Sequence, residues 1–108
     1  MSFIAVYITH ESAEAANALT DVLIEEKAIA CANRLPIESA YWWQGAVNRE
    51  SEVVTLVKSR AENWDYLQKR ITELHPYEVP CIVRFEMAAN QAYEDWILEV
   101  TNPFPTPD

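Results

Sequence analysis

Tyr41-Trp42-Trp43-Gln44-Gly45-Ala46-Val47 contains the only glycine of the chain, set between two apolar, β-prone runs. Gln44-Gly45 reads as a hairpin turn, because glycine enters the positive-φ positions of a tight turn at no steric cost. Upstream, residues 29–43 have no helical period and grow richer in aromatics toward the turn, so they read as one long strand, bent or bulged near Pro36. Downstream, residues 46–59 form the returning strand. Its second half alternates, with Glu52, Val54, Leu56 and Lys58 on one side and Val53, Thr55 and Val57 on the other. At about 3.3 Å per residue, this hairpin is longer than a sheet of seven- to nine-residue strands can cover.

The flanks supply the rest of the fold. Residues 3–9 are apolar on both faces, as in a central strand. Ser12 is placed to cap a helix over 13–27 with Ala15, Ala16, Leu19, Val22 and Leu23 at helical spacing. Past the hairpin, Ser59-Arg60-Ala61-Glu62 has the form of a capping box. The helix behind it carries Trp64, Leu67, Ile71 and Leu74 on one stripe and must stop at His75, because Pro76 disfavours helix before it. Residues 79–87 alternate as a fourth strand, with Pro80 marking an edge. Asn90 precedes a short last helix with Tyr93, Trp96, Ile97 and Val100, and the proline-rich tail 102–108 is neither helix nor central strand.

The order β-α-β-β-α-β-α is that of an α+β, ferredoxin-like sandwich with an extra C-terminal helix and an antiparallel sheet built on a long central hairpin. Right-handed crossovers put strands one and three in the centre and two and four at the edges. One domain over residues 1–108 is expected. Tyr41, Trp42, Trp43 and Val47 at the hairpin tip are large apolar groups that one copy leaves in water, so the chain is expected to pair with copies of itself.

Composition narrows the function. With a net charge of −9 and only eight lysines and arginines, scattered among acids, nucleic acid is not an expected partner. No apolar run approaches the ~18 residues of a membrane span, and the first residues lack the basic start of a signal peptide. A cytoplasmic protein is expected by elimination. Cys31 and Cys81 show no Cys-x-x-Cys spacing and read first as buried thiols. No phosphate loop or nucleophile–base pattern asks for an enzyme.

Family likeness then spans nearly the whole chain. Residues 28–33, Ala-Ile-Ala-Cys-Ala-Asn, resemble the "L-A-A-C-x-N" segment of the CutA proteins, and Tyr41, Trp43 and Gly45 match their "Y-x-W-x-G" hairpin. Glu52 and Lys58 fall where that family has "E…K-T", with Ser59 in place of the Thr. His75-Pro76-Tyr77-Glu78-Val79-Pro80 matches "H-P-Y-E-V-P" residue for residue, and Tyr93-Glu94-Asp95-Trp96-Ile97 matches "Y-x-x-W-I". The resemblance implies a ferredoxin-like protomer, a homotrimer built through the long hairpin strands, and a role in tolerance of divalent ions, copper above all. The assembly is similar to that of PII signal proteins, which bind small molecules between subunits. Members linked to copper have a Cys late in the first strand and a His pair before Pro-Tyr. Here Ile8 and Leu74-His75 stand at those positions.

The candidate site follows from both readings. His75 is either a histidine capping a helix C-terminus or a metal ligand, and Cys31 is a buried thiol or a second ligand, for copper or another divalent cation. Glu52 and Lys58 share a strand face but lie six residues, roughly 20 Å, apart, so each needs a partner elsewhere. Together with Tyr41, Trp43, Tyr77, Glu78 and Trp96 they are expected to line a cleft for a cation or a small molecule. The other function class is a trimeric scaffold that docks a protein partner of unknown identity. His10, with no cysteine or second histidine nearby in sequence, is expected to be exposed.

Overall fold

The computed structural model describes residues 3–104. Tail residues 105–108 lie outside them. The elements run β1 (Phe3–His10), α1 (Ala13–Glu25), β2 (Cys31–Trp43), β3 (Ala46–Arg60), α2 (Trp64–Leu74), β4 (Ile82–Met87) and α3 (Gln91–Val100). The sheet is antiparallel with the order β2-β3-β1-β4, the ferredoxin-like arrangement with β1 and β3 inside.

Strand alternation gives the sheet two unlike faces. Ile4, Val6 and Ile8 of β1 and Val57 of β3 form a buried cluster with Leu19, Leu23, Leu67 and Ile71 of α1 and α2. The amphipathic stripes read from the sequence are the reason these helices lie there. On the opposite face, Tyr93 of α3 meets Phe3 edge-on, with ring centroids 5.9 Å apart. The rest of that face carries Leu35 (53% exposed), Phe85 (48%), Val83 and Tyr41 in the open.

Local chemistry explains the ends. The Ser12 side chain accepts from the Ala15 amide at 3.0 Å, as expected of an N-cap. α1 closes earlier than the expected 27, in a Schellman motif: Ala28 N–H reaches Leu23 O and Lys27 N–H reaches Ile24 O, both at 3.0 Å, with Lys27 at φ 60°. The turn residues Gln44 and Gly45 both have positive φ, 51° and 81°, which suits a hairpin turn of the primed kind.

Three expectations are corrected. Pro36 makes no bulge: pairing runs unbroken from Cys31 opposite Lys58 to Trp43 opposite Ala46, because an edge strand has one side with no ladder to serve. Ser59 does not cap α2. Its hydroxyl donates to Ala28 O at 2.6 Å, β3 continues through Arg60, and a 3-10 turn at Ala61–Asn63 leads into the helix. His10 is not exposed but 2% accessible, packed between the sheet and the end of α2.

β1 pairs with β3 only as far as His10 opposite Val53, so Ala46 to Glu52 and their partners on β2 form a two-stranded arm. The arm stretches the molecule to 44 × 33 × 23 Å. Its radius of gyration is 14.4 Å, against about 13 Å for a compact chain of this length.

Candidate functional site

Where the arm leaves the sheet, the loop between α2 and β4 folds over it and encloses a cleft of about 750 Å³. Tyr7 and Thr9 of β1, Ile37, Tyr41 and Trp43 of β2, and Glu50 and Glu52 of β3 share one face by alternation and line it. Tyr77, Glu78 and Cys81 close it from the loop.

His75 holds that loop in place. α2 ends at Leu74 because His75 is already extended, at φ −87° and ψ 133°, as a residue before proline prefers. Its Nε2 donates to Thr9 O at 2.7 Å, and its Nδ1 accepts from the Tyr77 amide at 3.2 Å. Both nitrogens are therefore engaged by backbone. The ring stacks on His10 at 5.4 Å and meets Tyr77 edge-on at 4.6 Å. Tyr77 is thereby aimed at Glu52, whose Oε2 accepts from the tyrosine hydroxyl at 2.7 Å.

Electrostatics follow from this packing. Burial first, and the hydrogen bond to Glu52 second, raise the pKa of Tyr77, so the hydroxyl stays a donor. His10, bonded through Nε2 to Thr55 Oγ1 at 2.8 Å, is held down to about 4. Its burial is the main cause and the His75 ring the second, against an upward pull from Glu52. On the arm, the Tyr41 hydroxyl donates to Glu50. Glu52 is only 8% exposed, and among the described residues its Oε1 accepts no hydrogen bond.

The other expected site residues gather elsewhere. Cys31 pairs with Lys58, and Lys58 with Ala5, about four residues down β1 from Thr9. There Lys58 Nζ donates to Asn33 Oδ1 at 2.8 Å and lies 5.8 Å from the centre of the Tyr93 ring. Cys31 Sγ is 3.5 Å from the Tyr93 hydroxyl, which that contact and burial push up to about 12. Trp96 packs against Tyr93 at 5.7 Å. Within one chain the structure thus brings together Tyr41, Trp43, Glu52, Tyr77 and Glu78, and separates them from Cys31, Lys58 and Trp96. His75 and Cys31 do not converge, and among the described residues no three His, Cys, Asp or Glu side chains are placed to hold a metal ion. They do not fit a soft-metal centre, which needs several such donors on one point.

Sequence reasoning missed Tyr7, Thr9 and Glu50 as cleft residues. Period-two alternation carried the signal: Glu50 lies two positions before Glu52, and Tyr7 and Thr9 flank the inward Ile8.

The family model described as CutA1 divalent ion tolerance protein matches residues 4–100. The chain belongs to the CutA1 family. A CutA relative, the divalent-cation tolerance protein CutA of Pyrococcus horikoshii, is 39% identical over 99 residues, covering 91% of this chain and 97% of that protein. The crystal structure of CutA1 from that organism matches with a TM-score of 0.89 over 92% of this chain and 98% of the other. The PII-like protein CutA from Nostoc sp. PCC 7120, in apo form, matches at 32% identity and a TM-score of 0.87, over 94% and 99% of the two chains. A CutA of Archaeoglobus fulgidus, described as periplasmic, matches at 32% identity and 0.85, over 88% and 94%. Among the described residues no helix is long and apolar enough to cross a membrane.

Proposed function

We propose that this protein serves divalent-cation tolerance, copper included, as a cytoplasmic homotrimer that binds a cation or small molecule at a cleft completed between subunits, without catalysing a reaction. The observation that carries this reading is the Glu52–Tyr77 floor of the cleft. A buried carboxylate with a free oxygen and a tyrosine held in position by His75 are positioned for recognition.

The assembly is supported by unsatisfied surface. One protomer has two unlike open edges, β2 and β4, and an apolar face with Leu35, Val83 and Phe85 exposed. Pairing of one edge with the other kind is heterologous, and at a rotation of a third of a turn it closes into a ring of three. The separation of Lys58, Cys31 and Trp96 from Glu52 and Tyr77 also fits such a ring, because neighbours can supply what one chain keeps apart. In this reading His75 serves as the brace of the loop.

Light scattering and thermal melting of the purified protein test it, against copper, zinc, other divalent ions and nucleotides. A mass of three chains is expected, with one ligand raising the melting temperature and Tyr77→Phe abolishing the shift. A ligand at 100 times its Kd adds about 2.7 kcal/mol. A monomer, or a trimer that no ligand stabilises, overturns the proposal.

A further inference from the structure

The loop that closes the cleft passes the end of β1 and joins the two faces of the sheet. On the helix-covered face His10, 2% accessible, lies against the ring of His75, 8% accessible, so a single chain builds this buried pair by itself. On the cleft face the same loop delivers Tyr77 to Glu52. His75 is the link between them: its Nε2 donates to Thr9 O, and its Nδ1 accepts from the Tyr77 amide.

That last bond sets a condition. An imidazolium has no acceptor left, because both ring nitrogens carry protons. Protonated at Nδ1, His75 would turn an N–H toward the Tyr77 N–H, and the loop would lose its anchor. His10 adds a second condition. Its Nε2 is bonded to Thr55 Oγ1, and the His75 ring is stacked on it with centroids 5.4 Å apart and planes 21° from parallel. The closed stack keeps water from His10, and a charge on one ring disfavours a charge on the other.

The surrounding titratable groups leave this balance to the two rings. Glu52 of β3 draws a proton toward His10. Near the end of α2, Arg70 and Glu73 pair with each other at 3.6 Å. Burial keeps Cys81, beside Thr9, a thiol. Tyr77 faces Glu50 and Glu52 of β3 and Glu11 just past β1. A protonated Glu52 can still accept from the Tyr77 hydroxyl, so titration of that carboxylate alone does not release the loop.

We infer that the His10–His75 stack is a proton-operated latch: a proton taken up by the pair lifts His75 from Thr9 and Tyr77, frees the loop at residues 75–81 and opens the cleft in the folded protein. The latch regulates the site proposed above and rests on that reading, but its opening is measured with no ligand present. In the closed form His10 is held down to about 4, against the ordinary 6.5, so closure is complete above about pH 6.5 and weakens as pH falls toward 4.

Amide hydrogen exchange of the unliganded, assembled protein from pH 7 to 5, corrected for intrinsic rates, tests it. The Tyr77 amide is expected to lose protection by up to about tenfold per pH unit, one proton for each opening. Dilute urea is expected to leave that exchange unchanged, as befits local opening, while it speeds exchange at Ala28, whose amide is bonded to Leu23 O. His10→Gln combined with His75→Asn keeps an amide against Thr55 and an acceptor near the Tyr77 amide but removes both titrating rings, and should make Tyr77 protection independent of pH. Protection that is flat in the parent, that falls equally in the variant, or that is lost only at the rate of Ala28 overturns the latch. An NMR titration of the parent needs no variant: the Tyr77 amide signal should share its midpoint with a histidine ring, and a midpoint matching neither ring overturns the latch. Ligand binding in a chain whose loop exchange is flat overturns the latch alone. A loop that opens with acid in a chain that binds no ligand supports the latch and overturns the site.

Discussion

His10 turns acidity into a measurable loss of stability. In the folded chain its imidazole is held down to about 4, by burial before all else, whereas in the unfolded chain it titrates at the ordinary 6.5. A depressed value means that the native state holds the neutral ring, so the unfolded state takes up the proton first as pH falls. The contribution is complete above about pH 6.5 and disappears as pH drops toward 4. A displacement of about 2.5 pH units at about 1.4 kcal/mol each puts the loss at roughly 3 kcal/mol per protomer. Carboxylates titrate in the lower part of that window, so the His10 share is isolated by comparison with His10→Gln, whose amide can still meet Thr55 Oγ1. Urea unfolding at fixed protein concentration, repeated from pH 7 to 4, should give a steep profile for the parent and a flatter one for the variant. Parallel profiles, or an NMR titration of the His10 ring near 6.5 in the folded protein, would refute the reasoning.

Ile71→Ala removes a fully buried side chain from the cluster under the sheet and should cost about 2–5 kcal/mol in chemical denaturation. Asn63→Ala strands the partners of one buried amide, which donates to Ala28 O and Asn102 O and accepts from the Phe104 amide. A loss of roughly 3 kcal/mol is expected, with faster proteolysis after residue 101. Gly45→Ala meets nothing within 4 Å, so its cost of about 1 kcal/mol, read from the melting temperature, comes from the backbone at φ 81° alone. Phe85→Glu, on the open face of β4, should shift the mass seen by light scattering from three chains to one.

What could be read from the sequence was whatever depends on period and punctuation. Two prolines placed β2 and β4 at the edges, one glycine placed the hairpin turn, and the stripes of α1 and α2 assigned the covered face. Competition between partners was not legible. Ser59 had the spacing of a cap, but Ala28 O and the Asn63 amide lie closer once the chain folds, so its hydroxyl serves the core. His10 looked solitary because His75, its stacking partner, is 65 residues away in sequence and adjacent only through β1 and the end of α2. Glu52 and Lys58 were rightly expected to find separate partners, Tyr77 and Asn33, since strand rise alone forbids their pairing. That the remaining site residues divide between two ends of the sheet depends on the register of β2 with β3, which alternation alone does not set.

The position of β1 between β3 and β4 has a consequence for how the chain is made. Within these residues β1 precedes both of its sheet neighbours, β3 ending at Arg60 and β4 at Met87. At about 5–20 residues per second, some 77 residues of synthesis separate the completed β1 from the completed β4, roughly 4 to 15 seconds. Until Arg60 is made, Phe3, Ile4, Ala5 and Val6 have neither neighbouring strand to pair with, and until Met87 they have only one. The long hairpin pairs residues at most 27 positions apart, so all of its partners are made before β4. Slow synthesis between β3 and β4 would prolong the interval in which one edge of β1 is open, without changing the folded protein.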